Sequence, residues 1–158
     1  MITAYRLSHE IALQANPDPF KPGTSENRWN SAGVQIAYAG ESLAITALEL
    51  LTYWGRYSSM RGYRFFTITF EPSDVEDAQQ RQPSIDVHDK SQTRRYGDAW
   101  AEERRSLVLR VPSVVLPMSF NYLVNPNHSR YDPTKATAHG AFEYNERIGH
   151  LIDKAKSG

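Results

Sequence analysis

The run from Val34 to Trp54 changes period half-way along, and that change constrains the fold more than any other feature of the chain. Val34, Ile36 and Tyr38 share one face of an alternating segment, the two-residue period of a half-buried strand. Ser42 then offers a hydroxyl that accepts from an early, unsatisfied backbone N–H and starts a helix. Within it Ala44, Ala47, Leu48 and Leu51 fall at i, i+3, i+4 and i+7, while Leu43, Ile45, Leu50 and Trp54 occupy most of the remaining circumference. That pattern predicts a largely buried helix. Glu49 is the one charged residue between Glu41 and Arg56, and desolvating a carboxylate is costly unless it meets a partner or a ligand. Two readings compete for it. Either Glu49 is a structural acid paired with Arg28 or Arg6, or Glu49, Arg28 and Tyr38 surround a ligand that carries phosphate and ribose.

The chain of 158 residues is predicted to form a single domain, 1–158, long enough to bury its own core. Eighteen lysines and arginines balance eighteen aspartates and glutamates, so no global field favours nucleic acid or an anionic membrane. With no cysteine, disulfides, thiolate zinc sites and cysteine nucleophiles are excluded. The N-terminus lacks a secretory pattern and no apolar run could span a bilayer, so a cytoplasmic protein is the expectation.

Taken in order, Ile2 to Leu7 reads as an opening strand with Ile2, Ala4 and Arg6 on one face. Ala15 to Glu26, with Pro17, Pro19, Pro22 and Gly23, is a loop that delivers the chain to Arg28. Gly55, Ser58 and Ser59 are expected to close the central helix. Tyr63 to Phe70 alternates cleanly and is a strand. Glu71 to Asp89 is read as a long surface connection with a short helical turn, and Asp98 as the cap of a short helix through Ala99, Trp100 and Glu103. Ser106 to Val115 is a strand that lies at an edge or bends at Pro112, and Tyr122 to Val124 is another. A turn at Asp132-Pro133, a strand over Phe142 to Ile148 and a polar tail complete the chain. Strands outnumber helices without regular alternation, which predicts an α+β domain.

Familiar catalytic motifs are absent: no GxxxxGK[ST], GxGxxG or GxSxG occurs. The five histidines show no metal-ligand spacing, so no metal site is expected. Arg6 in YR, NRWN at 27–30, Gly33, Tyr38-Ala39, Glu41-Ser42 and Glu49 together resemble the RES domain. So do Gly97-Asp98-x-Trp100, the Ser106 to Pro117 segment and Asn125-Pro126-x-His128, which extends the resemblance from about 5 to about 131. The chain departs from the family in having ENRWN where GGRWN is common.

The resemblance implies an ADP-ribosyltransferase-like fold, with small mixed sheets and a few packed helices around an NAD cleft. It also implies a bacterial toxin that consumes NAD as substrate, or transfers ADP-ribose to a protein, restrained by a cognate Xre-type helix-turn-helix antitoxin. This chain itself is not expected to bind nucleic acid. The residues suit that chemistry. Arginine forks hydrogen-bond two oxygens of a pyrophosphate at once, the role assigned to Arg6 and Arg28. Tyr38 offers a ring face and a hydroxyl to nicotinamide or ribose, and Trp29 either stacks there or belongs to the core. A carboxylate beside the oxocarbenium-like ribose is worth about 3–4 kcal/mol of transition-state stabilisation, and Glu49 is the candidate. Ser106 or Ser113 binds the nicotinamide ribose, unless both merely satisfy backbone groups. His128 either serves the site or closes the NPNH turn. Water or phosphate as acceptor gives an NAD-degrading toxin, a protein acceptor gives an ADP-ribosyltransferase, and a catalytically silent NAD-binding module is the third reading.

Overall fold

A computed structural model describes residues 1–54 and 60–158, so Gly55, Ser58 and Ser59 lie outside the described residues. Its centre is one mixed sheet of seven strands: β1 (Ile2–His9), β2 (Ala37–Gly40), β3 (Tyr63–Phe70), β4 (Val75–Asp77), β5 (Val108–Pro112), β6 (Phe120–Val124) and β7 (Ala136–Phe142). Their order is β4-β5-β6-β2-β1-β3-β7, antiparallel except for β4 beside β5. Among the described residues five α-helices accompany it: α1 (Glu10–Ala15), α2 (Leu43–Trp54), α3 (Ala78–Arg81), α4 (Lys90–Glu102) and α5 (Glu146–Ser157). The α+β class is as the sequence predicts, with one continuous sheet where several small ones were expected.

Register assigns the core to two faces. Ala4, Ala39, Phe66, Ile68, Tyr122 and Val124 pack on one side, closed by Phe20 from the proline-rich loop. Leu109, Val111 and Leu123 pack on the other with Trp29, Ile36, Tyr96 and Trp100. Helix α4 presses onto this second face so closely that a Cβ on Gly97 would strike the Trp29 carbonyl oxygen. Strands β1 and β2 pair only at Tyr5 and Gly40 and then separate, leaving a fork in the sheet.

Several expectations are corrected. The ladder of β2 begins at Ala37; Val34 and Ile36 precede it in an irregular segment pinned by Asn30, whose amide donates to the Val34 carbonyl, although both still pack on the Tyr38 side. Ser42 caps α2 as predicted, its Oγ accepting from Ile45 N at 3.2 Å, but among its described side chains only Ile45 is buried and Ala44 is exposed. One flank of the helix rests on the sheet and the other faces outward. The 71–89 connection contains β4 and α3; three residues are too short to show a period, and β4 exists because β5 offers it a partner. Asp98 lies inside α4, whose cap is Asp89, accepting from Ser91 N and Gln92 N. The buried face of α4 is Thr93, Tyr96, Gly97, Trp100 and Ala101, a helical stripe that its polar and small members conceal. Strand β5 is interior, but its pairing with β4 ends at Arg110, so Pro112 sits beyond that ladder where no donor is required. The strand expected over 142–148 gives way to α5, capped by Asn145 with Ile148, Leu151 and Ile152 at helical spacing. No helix among the described residues is long and apolar enough to cross a membrane.

Candidate active site

Glu49 projects from the middle of α2 toward the end of the β5–β6 hairpin. Its Oε1 accepts from Ser113 Oγ at 2.7 Å and from Asn121 Nδ2 at 2.9 Å. Asn121 pairs with Gly40 and Val111, so all three elements meet on the sheet face that carries Tyr38. The approach of α2 depends on Gly40, because a Cβ there would collide with Thr46 Oγ1 and the Ile45 side chain. Thr46 Oγ1 lies 3.0 Å from the Tyr5 carbonyl and ties the helix to β1.

No ion pair joins Glu49 to Arg6, Arg28 or any other cation among the described residues. The structural salt-bridge reading therefore fails. Both donors are neutral and both serve the same oxygen, so no cation compensates the carboxylate and Oε2 has no hydrogen-bond partner among the described residues. Glu49 and Asn121 line a recess of about 90 Å³ with Tyr38, Ala39, Gly40 and Thr46. That volume suits part of a single ring, well below the ~300–1,000 Å³ of an enclosing ligand pocket.

Tyr38 also lines the recess, in a pose fixed by two hydrogen bonds. Its hydroxyl donates to Asn30 Oδ1 at 2.7 Å and accepts from Trp29 N at 3.0 Å. Burial pushes this hydroxyl well above the ordinary phenol range, so it remains protonated and its ring is what the recess receives. Asn30 is itself buried, its amide nitrogen shared among the carbonyls of Ser25, Ser31 and Val34. Asp98 accepts from Ser31 N at 2.8 Å and from Ser31 Oγ at 2.6 Å, which fastens the NRWN segment to α4. Arg28 is half-buried beside this network, donating from Nη1 to the Val87 carbonyl at 3.2 Å and close enough to act on the Tyr38 hydroxyl electrostatically.

The remaining candidates are placed elsewhere. Arg6 faces the opposite side of the sheet, beside Ala4, Ala39 and Phe66, at the fork between β1 and β2. Its Nε donates to the Pro19 carbonyl at 2.5 Å and Nη1 to the Tyr38 carbonyl at 2.7 Å, replacing ladder bonds that the separating strands cannot make. Burial draws its pKa down to about 10, which leaves it charged near neutrality. Arg6 thus holds the backbone of Tyr38 and does not share the Glu49 recess. Trp29 is a core residue, edge-on to Tyr96. Ser106 accepts from Trp100 Nε1 and donates to the Val108 carbonyl, both at 2.8 Å, at the end of β5 away from Ser113. His128 closes the NPNH turn past the far end of β6, accepting at Nδ1 from Arg130 N. The structure therefore brings Glu49, Ser113 and Tyr38 together with Arg28 nearby. Sequence reading overlooked Asn121, although an amide inside an apolar interior strand was a visible signal.

Residues 3–145 match the RES domain family. The chain belongs to that family. Among known RES-domain relatives, the Toxin Res of Yersinia enterocolitica serotype O:8 / biotype 1B is 32% identical over 130 residues, 80% of this chain and 86% of that protein. The Toxin Res of Pseudomonas putida is 30% identical over 115 residues, 68% of this chain and 76% of its own length. The Prs ADP-ribosylating toxin of Sphingobium sp. is 29% identical over 127 residues, 77% of this chain and 79% of its own. The fold is shared with a chain of the M. tuberculosis MbcT-MbcA toxin-antitoxin complex, at a TM-score of 0.62 and 15% identity over 99% of the RES-domain chain and 90% of that chain.

Proposed function

We propose that this RES-domain protein is a toxin that cleaves the nicotinamide–ribose bond of NAD, with water or phosphate accepting the ADP-ribosyl group. The observation that carries the reading is the Glu49 carboxylate, held by two neutral donors on one oxygen and lining the Tyr38 recess. As the C–N bond breaks, its electron pair leaves with nicotinamide and positive charge develops on the ribose, which a fixed, uncompensated carboxylate stabilises. The recess is small enough to take only part of the nicotinamide ring, so in this reading the pyrophosphate lies outside it, where the guanidinium nitrogens that Arg28 does not spend on Val87 would bind it. Water then bonds to the anomeric carbon and releases a proton, or phosphate bonds there in its place. In this reading Trp29, Ser106 and His128 support the fold and Arg6 positions Tyr38.

The Sphingobium relative's description as an ADP-ribosylating toxin favours a second reading, in which a protein side chain is the acceptor. Because the fold is shared with a protein from a toxin–antitoxin complex, we further propose an antitoxin partner, of the Xre type that the family resemblance implies, and a bacterial cytoplasmic setting where NAD is abundant. The test is to incubate the pure protein with NAD and follow nicotinamide, free ADP-ribose products and protein-bound label. Equimolar nicotinamide with free ADP-ribose or its 1-phosphate supports the first reading. Label retained on protein supports the second. Binding without nicotinamide release overturns both in favour of a silent NAD-binding module.

A further inference from the structure

The two groups that hold Glu49 differ in what they have left to give. The Ser113 hydroxyl is fully engaged: it donates to Glu49 Oε1 at 2.7 Å and accepts from Val115 N at 3.1 Å and Leu116 N at 3.3 Å. A hydroxyl has one hydrogen and two lone pairs, so Ser113 keeps nothing for a ligand. Its two amide partners also turn its hydrogen toward the acid, which makes Glu49 Oε1 an acceptor. Asn121 is mostly unspent. It faces an oxygen that accepts, so its amide must turn Nδ2 toward Glu49, at 2.9 Å, and Oδ1 is the other arm of the group. The second Nδ2 hydrogen and the Oδ1 lone pairs meet no partner among the described residues.

That oxygen is reachable. Among the described residues that are not exposed, sealed side-chain polar atoms without a partner are confined to Ser8 and Asp74, so Asn121 Oδ1 keeps contact with solvent. Asn121 lines the recess with Tyr38, Ala39, Gly40, Thr46 and Glu49. The other polar groups on this wall are committed. Thr46 has one hydroxyl hydrogen for two carbonyls, those of Tyr5 at 3.0 Å and Ser42 at 2.8 Å. The Tyr38 hydroxyl is engaged with Asn30 and Trp29. Apart from Glu49 itself, the unspent side-chain polar groups of the wall therefore belong to Asn121. An unpaired amide in a small hollow rewards a ligand that pairs with it and penalises one that cannot.

We propose that Asn121 determines the specificity of this recess, its Oδ1 accepting from the carboxamide N–H of nicotinamide and its remaining amide hydrogen donating to the carboxamide oxygen. The inference deepens the NAD reading and rests on it. The groups match in kind, because a primary amide offers a donor and an acceptor to another. The test compares NAD with its acetylpyridine analogue, whose methyl ketone replaces the carboxamide and lacks the N–H. Release of the pyridine is followed for the unaltered full-length protein, Asn121→Leu and Ser113→Ala. The two rings leave with different ease, but that difference is common to all three proteins and cancels between them. The NAD-to-analogue ratio of kcat/KM should fall about tenfold in Asn121→Leu and stay within about twofold in Ser113→Ala, although both variants turn over more slowly. A ratio unmoved by Asn121→Leu, or lowered equally by Ser113→Ala, overturns the proposal and leaves Asn121 as a support for Glu49. If NAD binds without turnover, the ratio of Kd values is read in the same way. Neither binding nor nicotinamide release overturns the NAD reading, and this inference with it. Should Asn121→Leu fail to fold, Asn121→Ser, which is too short to reach the carboxamide, takes its place in the comparison.

Discussion

Glu49 and Glu76 are both sheltered carboxylates beside the same sheet face, and they are treated in opposite ways. Glu76 receives Arg105 through two parallel bonds, Nε at 3.1 Å and Nη2 at 3.0 Å, with Arg81 at 3.5 Å and the Tyr96 hydroxyl on the same group. Its charge is cancelled where it stands, and its side chain is only 11% exposed. Glu49 receives a serine and an amide, both on one oxygen, and keeps its field. An arginine-clamped acid ties β4 to the segment after α4. An acid oriented by neutral donors is of little use as a tie, but it suits the positive charge that the proposed reaction would develop.

The sharpest way to break this contrast is Glu76→Gln. Removing one partner of a sheltered pair leaves Arg105 under-compensated, so stability in urea should fall by about 3–5 kcal/mol while nicotinamide release per folded molecule is unchanged. Glu49→Gln should do the reverse, lowering kcat about 10²–10³-fold with the urea midpoint essentially unmoved. If it instead unfolds the protein, Glu49 is a structural acid after all. Smaller effects sharpen the picture. Ser113→Ala removes one of the two donors and should lower kcat about tenfold with little change in KM. Combined with Asn121→Leu the loss should be less than the sum, since both donors orient the same oxygen. His128→Ala, in the distant turn, should change stability by no more than about 0.5 kcal/mol and leave turnover intact.

The parts of the fold that the sequence reveals are those where one element carries its own signature. The alternation of Tyr63 to Phe70 becomes the eight-residue β3, and the Ser42 hydroxyl caps α2. What stays hidden is whatever a neighbour imposes. β4 is a strand only against β5, and α4 buries Thr93 and Gly97, which no hydrophobic template counts. The site divides along the same line. Glu49 stands out because it is alone in an apolar helix, and Tyr38 because it alternates with the strand. Choosing Ser113 over Ser106 requires knowing which end of the β5–β6 hairpin meets α2, which is a fact of tertiary packing. Arg6 misleads for a similar reason: a guanidinium suits a phosphate, but it also suits two backbone carbonyls at a fork between strands.

The clamp on Glu49 joins positions separated by 64 and 72 residues along the chain. During synthesis, therefore, α2 leaves the ribosome long before the hairpin that orients its acid exists. Contacts of such wide separation are closed late, after loop-closure entropy has been overcome. A half-made polypeptide carries the glutamate but not the two donors that orient it, so the proposed site is complete only in the finished fold. If the proposed activity holds, that order of assembly would act as a built-in delay for a cell translating the protein beside its own metabolite pools.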